Sequence, residues 1–180
     1  MALLLLLAAC GGGAENCARL PGGGRYCLVA GVWPEFSVEQ LATITYQGKS
    51  QRLIMRIQSG ADGLQLAGLT PLGQTLLQVS WRNGILRADF PPAVGDRLDG
   101  ALFPALLQIA TWPAGRVRAG LPDGLTLIEG DGRRIVTDGA QEMLIISWDG
   151  TTLPYRSLRF ELPAASLLIE ASTLDEATAP

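Results

Sequence analysis

The 180-residue chain contains no histidine. That absence removes Ser-His-Asp and Cys-His nucleophile systems and histidine-based metal sites together. Basic residues are few, 14 against 17 acidic ones, and they form no stripe that would neutralise phosphates, so nucleic acid is not an expected partner. No glycine-rich loop has the GxxxxGKS spacing or opens a βαβ unit, which gives nucleotide binding little support. The acidic residues sit mostly in turn signals: Asp96 and Asp99 in GDRLDG, Asp131 in GDG, Asp138 in TDG and Asp149 in WDG. Aspartate in such places bonds its own backbone, a simpler role than a catalytic pair or a calcium loop. No catalytic residue, metal or cofactor is therefore predicted, and the chain reads as a non-enzyme. An enzyme working without histidine would have to show a cleft with converging carboxylates.

A membrane-spanning run is also missing from the opening MALLLLLAACGGG, since spanning a bilayer takes ~20 apolar residues. Leu3 to Ala9 has instead the length of the apolar core of a secretory signal, with small residues suited to a signal peptidase. The order Leu7-Ala8-Ala9-Cys10 resembles the lipobox of bacterial lipoprotein precursors, in which the cysteine is lipidated through its thiol and becomes the new N-terminus. The resemblance implies a signal peptide over 1–9, a palmitate-bearing anchor at Cys10, and, with Gly11 in place of a retention aspartate, an outer-membrane location facing the periplasm. The competing reading is an apolar N-terminus with a chance cysteine. Gly11–Gly13 and Gly22–Gly24 give residues 10–25 the composition of a flexible tether. Cys17 and Cys27 flank ARLPGGGRY, and an even pair in an oxidising compartment reads as a disulfide; two free thiols are the alternative.

From Leu41 the dominant period is two. In QRLIMRIQS, Leu53, Met55 and Ile57 share one face while Arg52, Arg56 and Gln58 share the other, as in a half-buried strand. The same logic predicts strands near 42–46, 64–69, 74–81 and 85–90, the last two joined by an Asn83-Gly84 type I′ turn, to make an antiparallel meander. The period then changes in ALFPALLQIATWP. Leu102, Leu106 and Ile109 recur at helical spacing, Pro104 fits only a first turn and Pro113 stops the run, so a helix is predicted near 102–112. It is apolar nearly all round, with Gln108 the only polar residue between Ala105 and Ala110, and must therefore be covered on all sides or cover something apolar. Strands are predicted again near 117–121, 125–129, 133–137, 142–148, 155–162 and 166–171, followed by a disordered tail over 172–180.

The expected fold class is mainly β: a strongly curved antiparallel half-barrel of roughly ten to eleven strands over 26–171, with a short covering helix. A helix across the mouth of such a sheet would enclose an apolar cavity. Candidates to line it are Leu53, Met55, Ile57, Leu77, Val79, Trp81, Leu86, Phe90, Leu106, Ile109, Ile146, Trp148, Leu158 and Phe160; the alternative for each is ordinary core packing.

The segments GLTPLGQTLLQVSWRNG and ALFPALLQIATWPAG resemble the outer-membrane lipoprotein receptor of the bacterial lipoprotein-sorting pathway and its periplasmic carrier. LLQIATWP and the later RRIVTDG are also similar to a family of short bacterial lipoproteins of unassigned function, related to that receptor and associated with aryl polyene lipid biosynthesis. The likeness runs from about residue 40 to 171. It implies a half-barrel with helices over a cavity for acyl chains, a lipid or acylated cargo as ligand, and the outer membrane and a periplasmic carrier as partners. It also implies that Leu72 of Pro71-Leu72-Gly73 projects from a turn to insert into a membrane, although Leu72 folded back on Leu69 is an equally good reading of the residues alone. Where the receptor has a longer helix before its first strand, this chain has only Pro34 to Gln40, which implies a smaller lid. A non-catalytic accessory lipoprotein of an envelope complex is the alternative function.

Overall fold

The computed structural model describes residues 16–90 and 99–174. The expected signal peptide and Cys10 lie outside the described residues. Among the described residues the chain is mainly β, with one ten-stranded antiparallel sheet, a separate two-stranded hairpin and two short helices. The hairpin is β1 (Cys17–Leu20) and β2 (Gly24–Cys27). The first five sheet strands are β3 (Phe36–Tyr46), β4 (Lys49–Gly60), β5 (Gly63–Leu69), β6 (Thr75–Arg82) and β7 (Ile85–Asp89). Helices α1 (Leu102–Thr111) and α2 (Ala114–Arg118) follow. A second meander closes the chain: β8 (Leu125–Gly130), β9 (Arg133–Asp138), β10 (Gln141–Asp149), β11 (Ser157–Leu162) and β12 (Leu167–Thr173).

The sheet order is β7-β6-β5-β4-β3-β12-β11-β10-β9-β8, so the last strand pairs with the first and the two meanders fuse side by side. β7 and β8 are left at opposite edges, and the connection between them must cross the whole sheet. That crossing carries α1, and the sheet does not close into a barrel. The period-two pattern does what alternation dictates. Leu53, Met55, Ile57 and Ser59 of β4 are buried and Arg52, Arg56 and Gln58 are exposed; Leu77, Val79 and Trp81 of β6 and Leu158, Phe160 and Leu162 of β11 face the same core. The Asn83-Gly84 turn has positive φ at both central residues, 52° and 78°, as a type I′ hairpin requires.

Four expectations are corrected. Residues up to 25 were expected to form a flexible tether, yet from Cys17 the chain is a packed hairpin with Ala18, Leu20 and Tyr26 buried. The glycines supply its turn, with positive φ at Gly22 and Gly23, rather than slack. The strand expected over 117–121 is replaced by α2, because Pro113 starts a new helical turn and a window as short as VRAGL does not distinguish the two periods. Pro34–Gln40 supplies no part of a lid, since β3 already begins at Phe36. Finally, Ser172 and Thr173 of the expected disordered tail pair with Leu41 and Gln40 in the sheet.

Candidate functional site

The concave face of the sheet is covered by α1. Nine of its ten residues, Leu102 to Ala110, are buried, because the helix is sandwiched between the sheet and the β1–β2 hairpin. This explains a helix that is apolar all round. Gln108, fully buried, is the one polar residue among those nine, and every polar atom of its side chain is matched. Its Oε1 accepts from the Tyr26 hydroxyl and the Val29 N–H, both at 2.8 Å, and its Nε2 donates to the Val29 carbonyl at 2.9 Å. Burial pushes the Tyr26 phenol well above its ordinary pKa, and it stays protonated as a donor.

The hairpin is held by Cys17 and Cys27, opposite each other in register, with their sulfurs at bonding distance, 2.09 Å. At the far end of α1, Arg134 of β9 donates to the Ile109 and Trp112 carbonyls at 2.6 and 2.7 Å and pairs with Glu129 at 2.8 Å. A cation there also suits the negative end of the helix dipole. Trp33, in the loop before β3, meets Trp112 edge-on with ring centres 5.4 Å apart. Both indole N–H groups are buried without a hydrogen-bond acceptor, and edge-to-face packing sets the positive edge of one ring against the π face of the other.

Between α1 and the sheet lies a cavity of about 40 Å³. Its walls are Met55, Ile57, Leu66, Leu158, Phe160, Ile169 and smaller residues of the sheet, with Phe103, Leu106 and Leu107 of α1; Gln40, whose amide donates to the Tyr155 carbonyl at 3.3 Å, is the only polar residue among them. Of the fourteen predicted lining residues, Met55, Ile57, Leu106, Leu158 and Phe160 meet there. Leu53, Leu77, Val79, Trp81, Ile109 and Ile146 are buried elsewhere in the same core, whereas Leu86, Phe90 and Trp148 are only partly buried. The expected open cavity is largely filled, because α1 drops into the concave face rather than bridging it. A drug-sized ligand takes roughly 300–1,000 Å³, so nothing of acyl-chain length enters without moving α1.

A larger concavity, about 690 Å³, runs across the outer face of β3 to β7. Glu39, Arg56, Gln58, Gln65, Gln78 and Arg87 line it, and Arg56 pairs with Glu39 at 2.6 Å. It is open, with charged and amide side chains among its lining residues, the outer waist of a twisted sheet, and it does not enclose an apolar chain.

Leu72 occupies a tight turn closed by the Gly73 N–H to Thr70 carbonyl bond at 2.8 Å, and it is 89% exposed. It does not fold back on Leu69. Tyr46, at the β3–β4 tip on the same end of the sheet, is also exposed. Asp99 behaves as its turn signal implied, bonding the Ala101 N–H at 3.0 Å. Sequence reasoning noted Gln108 as an oddity but gave it no role; the available signal was a lone amide inside an otherwise apolar helix. Arg134 gave none, since nothing in RRIVTDG distinguishes it from Arg133.

Among the described residues no cluster of three or more His, Cys, Asp or Glu is placed to hold a metal, and no helix is long and apolar enough to cross a membrane. Comparison with curated proteins gives no match. A family model described as "Protein of unknown function (DUF3261)" matches residues 37–167, from β3 into the start of β12, and the chain belongs to that family.

Proposed function

We propose that this member of the family is a lipoprotein, anchored through Cys10 to the outer membrane and facing the periplasm, that takes a lipid or lipoprotein acyl chain between α1 and the concave face of the sheet. The observation that carries the reading is the wall chemistry of that seam: a single amide, Gln40, in an otherwise apolar surface shared by the sheet and α1. The half-barrel-like sheet with a helix against its concave face supports it as well, because the resemblance to the lipoprotein-sorting receptor and to the aryl polyene-associated lipoproteins implies a helix-covered half-barrel. Leu72, held out at a turn, is the residue that would enter a bilayer during delivery, since leaving it exposed forgoes roughly 1.5–3 kcal/mol of burial. A periplasmic carrier protein is the partner that this role calls for.

The test is mass spectrometry of organic-solvent extracts from the processed, membrane-extracted protein. A lipid recovered near one equivalent supports the reading, and its absence from protein that is folded and anchored counts against it. A second reading, an accessory lipoprotein that scaffolds an envelope complex, is favoured by the cavity volume of about 40 Å³. It expects no bound lipid and a variant locked shut that retains full function.

A further inference from the structure

The chain is acidic, with a net charge of -3, but its charge is unevenly shared. Residues 16–34, which hold the hairpin, and residues 100–122, which hold α1 and α2, carry four of the 14 basic residues and none of the 17 acidic ones. The four are Arg19 and Arg25 of the hairpin and Arg116 and Arg118 of α2, and all are exposed. The two on α2 are engaged locally. Arg116 donates to the Ala30 carbonyl at 2.6 Å with its guanidinium over the Trp112 ring, and Arg118 lies 3.9 Å from Glu129.

Arg19 and Arg25 differ from them. They stand directly opposite each other in the β1–β2 register, on the face turned away from the buried Ala18, Leu20 and Tyr26. Like charges so placed repel and weaken the pairing of the strands. Neither makes an ion pair among the described residues. Asp99 approaches Arg19, yet its carboxylate is taken up by backbone, accepting from the Arg19 and Ala101 N–H groups at 2.9 and 3.0 Å. The turn between the two arginines ends in Gly22-Gly23-Gly24, and a Cβ at Gly23 would meet nothing within 4 Å, so this tip of the hairpin is open to an approaching surface.

We infer that the outward face of the hairpin binds anionic phospholipid headgroups, with Arg19 and Arg25 sharing their phosphodiesters. An anion held between the two guanidinium groups turns a cross-strand repulsion into an attraction, and each guanidinium meets phosphate oxygens through paired N–H donors. The choice of a phospholipid surface over an acidic protein rests on the Cys10 anchor of the proposed function. Cys17 is seven residues beyond Cys10, so a lipid on Cys10 holds the hairpin within about 25 Å of the bilayer. The acidic remainder of the chain is repelled by the same surface, which orients the arginines toward it.

The experiment labels the processed chain with phenylglyoxal in two kinds of vesicle, phosphatidylcholine alone and phosphatidylcholine with about one-third phosphatidylglycerol, and reads each arginine by peptide mass spectrometry. Arg19 and Arg25 should react at least about fivefold more slowly on the anionic vesicles, with Arg87 of β7 unchanged, and high salt should abolish the difference. Equal rates on both vesicles would overturn the inference. Slowing found only in native envelope fragments would overturn it in favour of an acidic protein. If the mass of the chain shows no lipid on Cys10, the anchor reading fails and the headgroup site is still decided, by flotation of that chain with the same vesicles. Binding to the anionic vesicles that falls about tenfold or more in Arg19→Gln/Arg25→Gln supports the site, and binding unchanged in that variant overturns it. The double variant removes a like-charge pair, so its Tm should be no lower than that of wild type, which separates lost binding from lost fold.

Discussion

The ten-stranded sheet carries a concavity of about 690 Å³ on its outer face and one of about 40 Å³ beneath α1 on its inner face. Size and chemistry disagree between them. The outer groove is large because a twisted sheet narrows at its waist, and its residues are those that alternation sends to water. The inner cavity is small because a helix fills it, yet its walls are nearly uniform in chemistry, and the hydrogen bonds from the sheet to α1 among the described residues come from Arg134 at one end of the helix. For an apolar ligand, how a wall separates from its cover matters more than the volume found when the cover is down.

The sharpest way to break that comparison is to place one charge on each face. Leu66→Glu, on the inner face and buried, should lower stability by about 3–5 kcal/mol, because its cross-strand neighbours Ile57 and Val79 offer the carboxylate no cation; Gln65→Glu, on the outer face, should change it by less than about 0.5 kcal/mol, both read by urea unfolding. Next in size is Gln108→Ala, which leaves Tyr26 and Val29 groups unpaired at the cover's own seam and should cost about 3 kcal/mol in the same measurement. Leu72→Glu separates delivery from folding. It should leave Tm within about 2 °C of wild type and lower transfer of a fluorescent acyl lipid into liposomes; unfolding with normal transfer per folded molecule would remove Leu72 from the insertion role. The smallest effect is with pH. The folded state holds Tyr26 protonated above its ordinary value of 10.0, while the unfolded chain releases that proton at the ordinary value. Stability is therefore complete below about pH 10 and falls as pH rises beyond it. Tyr26→Phe should flatten this slope in thermal scans, with a remainder from Tyr155, whose phenol is also raised by burial.

Most strands were legible because burial on one face writes a period of two, as in Leu53, Met55 and Ile57. Helix α1 was legible from Pro104, Pro113 and the spacing between them, and the Cys17–Cys27 pair from parity. The pairing of β12 with β3 was not, since register between strands more than a hundred residues apart leaves no local trace. Nor was the hairpin's role as a strap: glycine triplets look the same in a tether and in a tight turn, and only the buried Ala18, Leu20 and Tyr26 distinguish them. The lining of the cavity was legible as a face but not as a site. Alternation assigns Leu77 and Met55 to the same side of the sheet without saying which of them lies under Phe103.

The central claim is that an acyl chain seats between α1 and the sheet. Methyl NMR of the protein labelled at methionine tests it directly, because Met55 lies on the cavity wall and Met143 is buried beneath the hairpin turn at Gly22. Addition of oleate should shift the Met55 methyl through entry of the chain and the Met143 methyl through lifting of the cover, both saturating at one equivalent. A Met55 signal unmoved at saturating oleate would contradict the account, and the concave face would then be a packed core and nothing more.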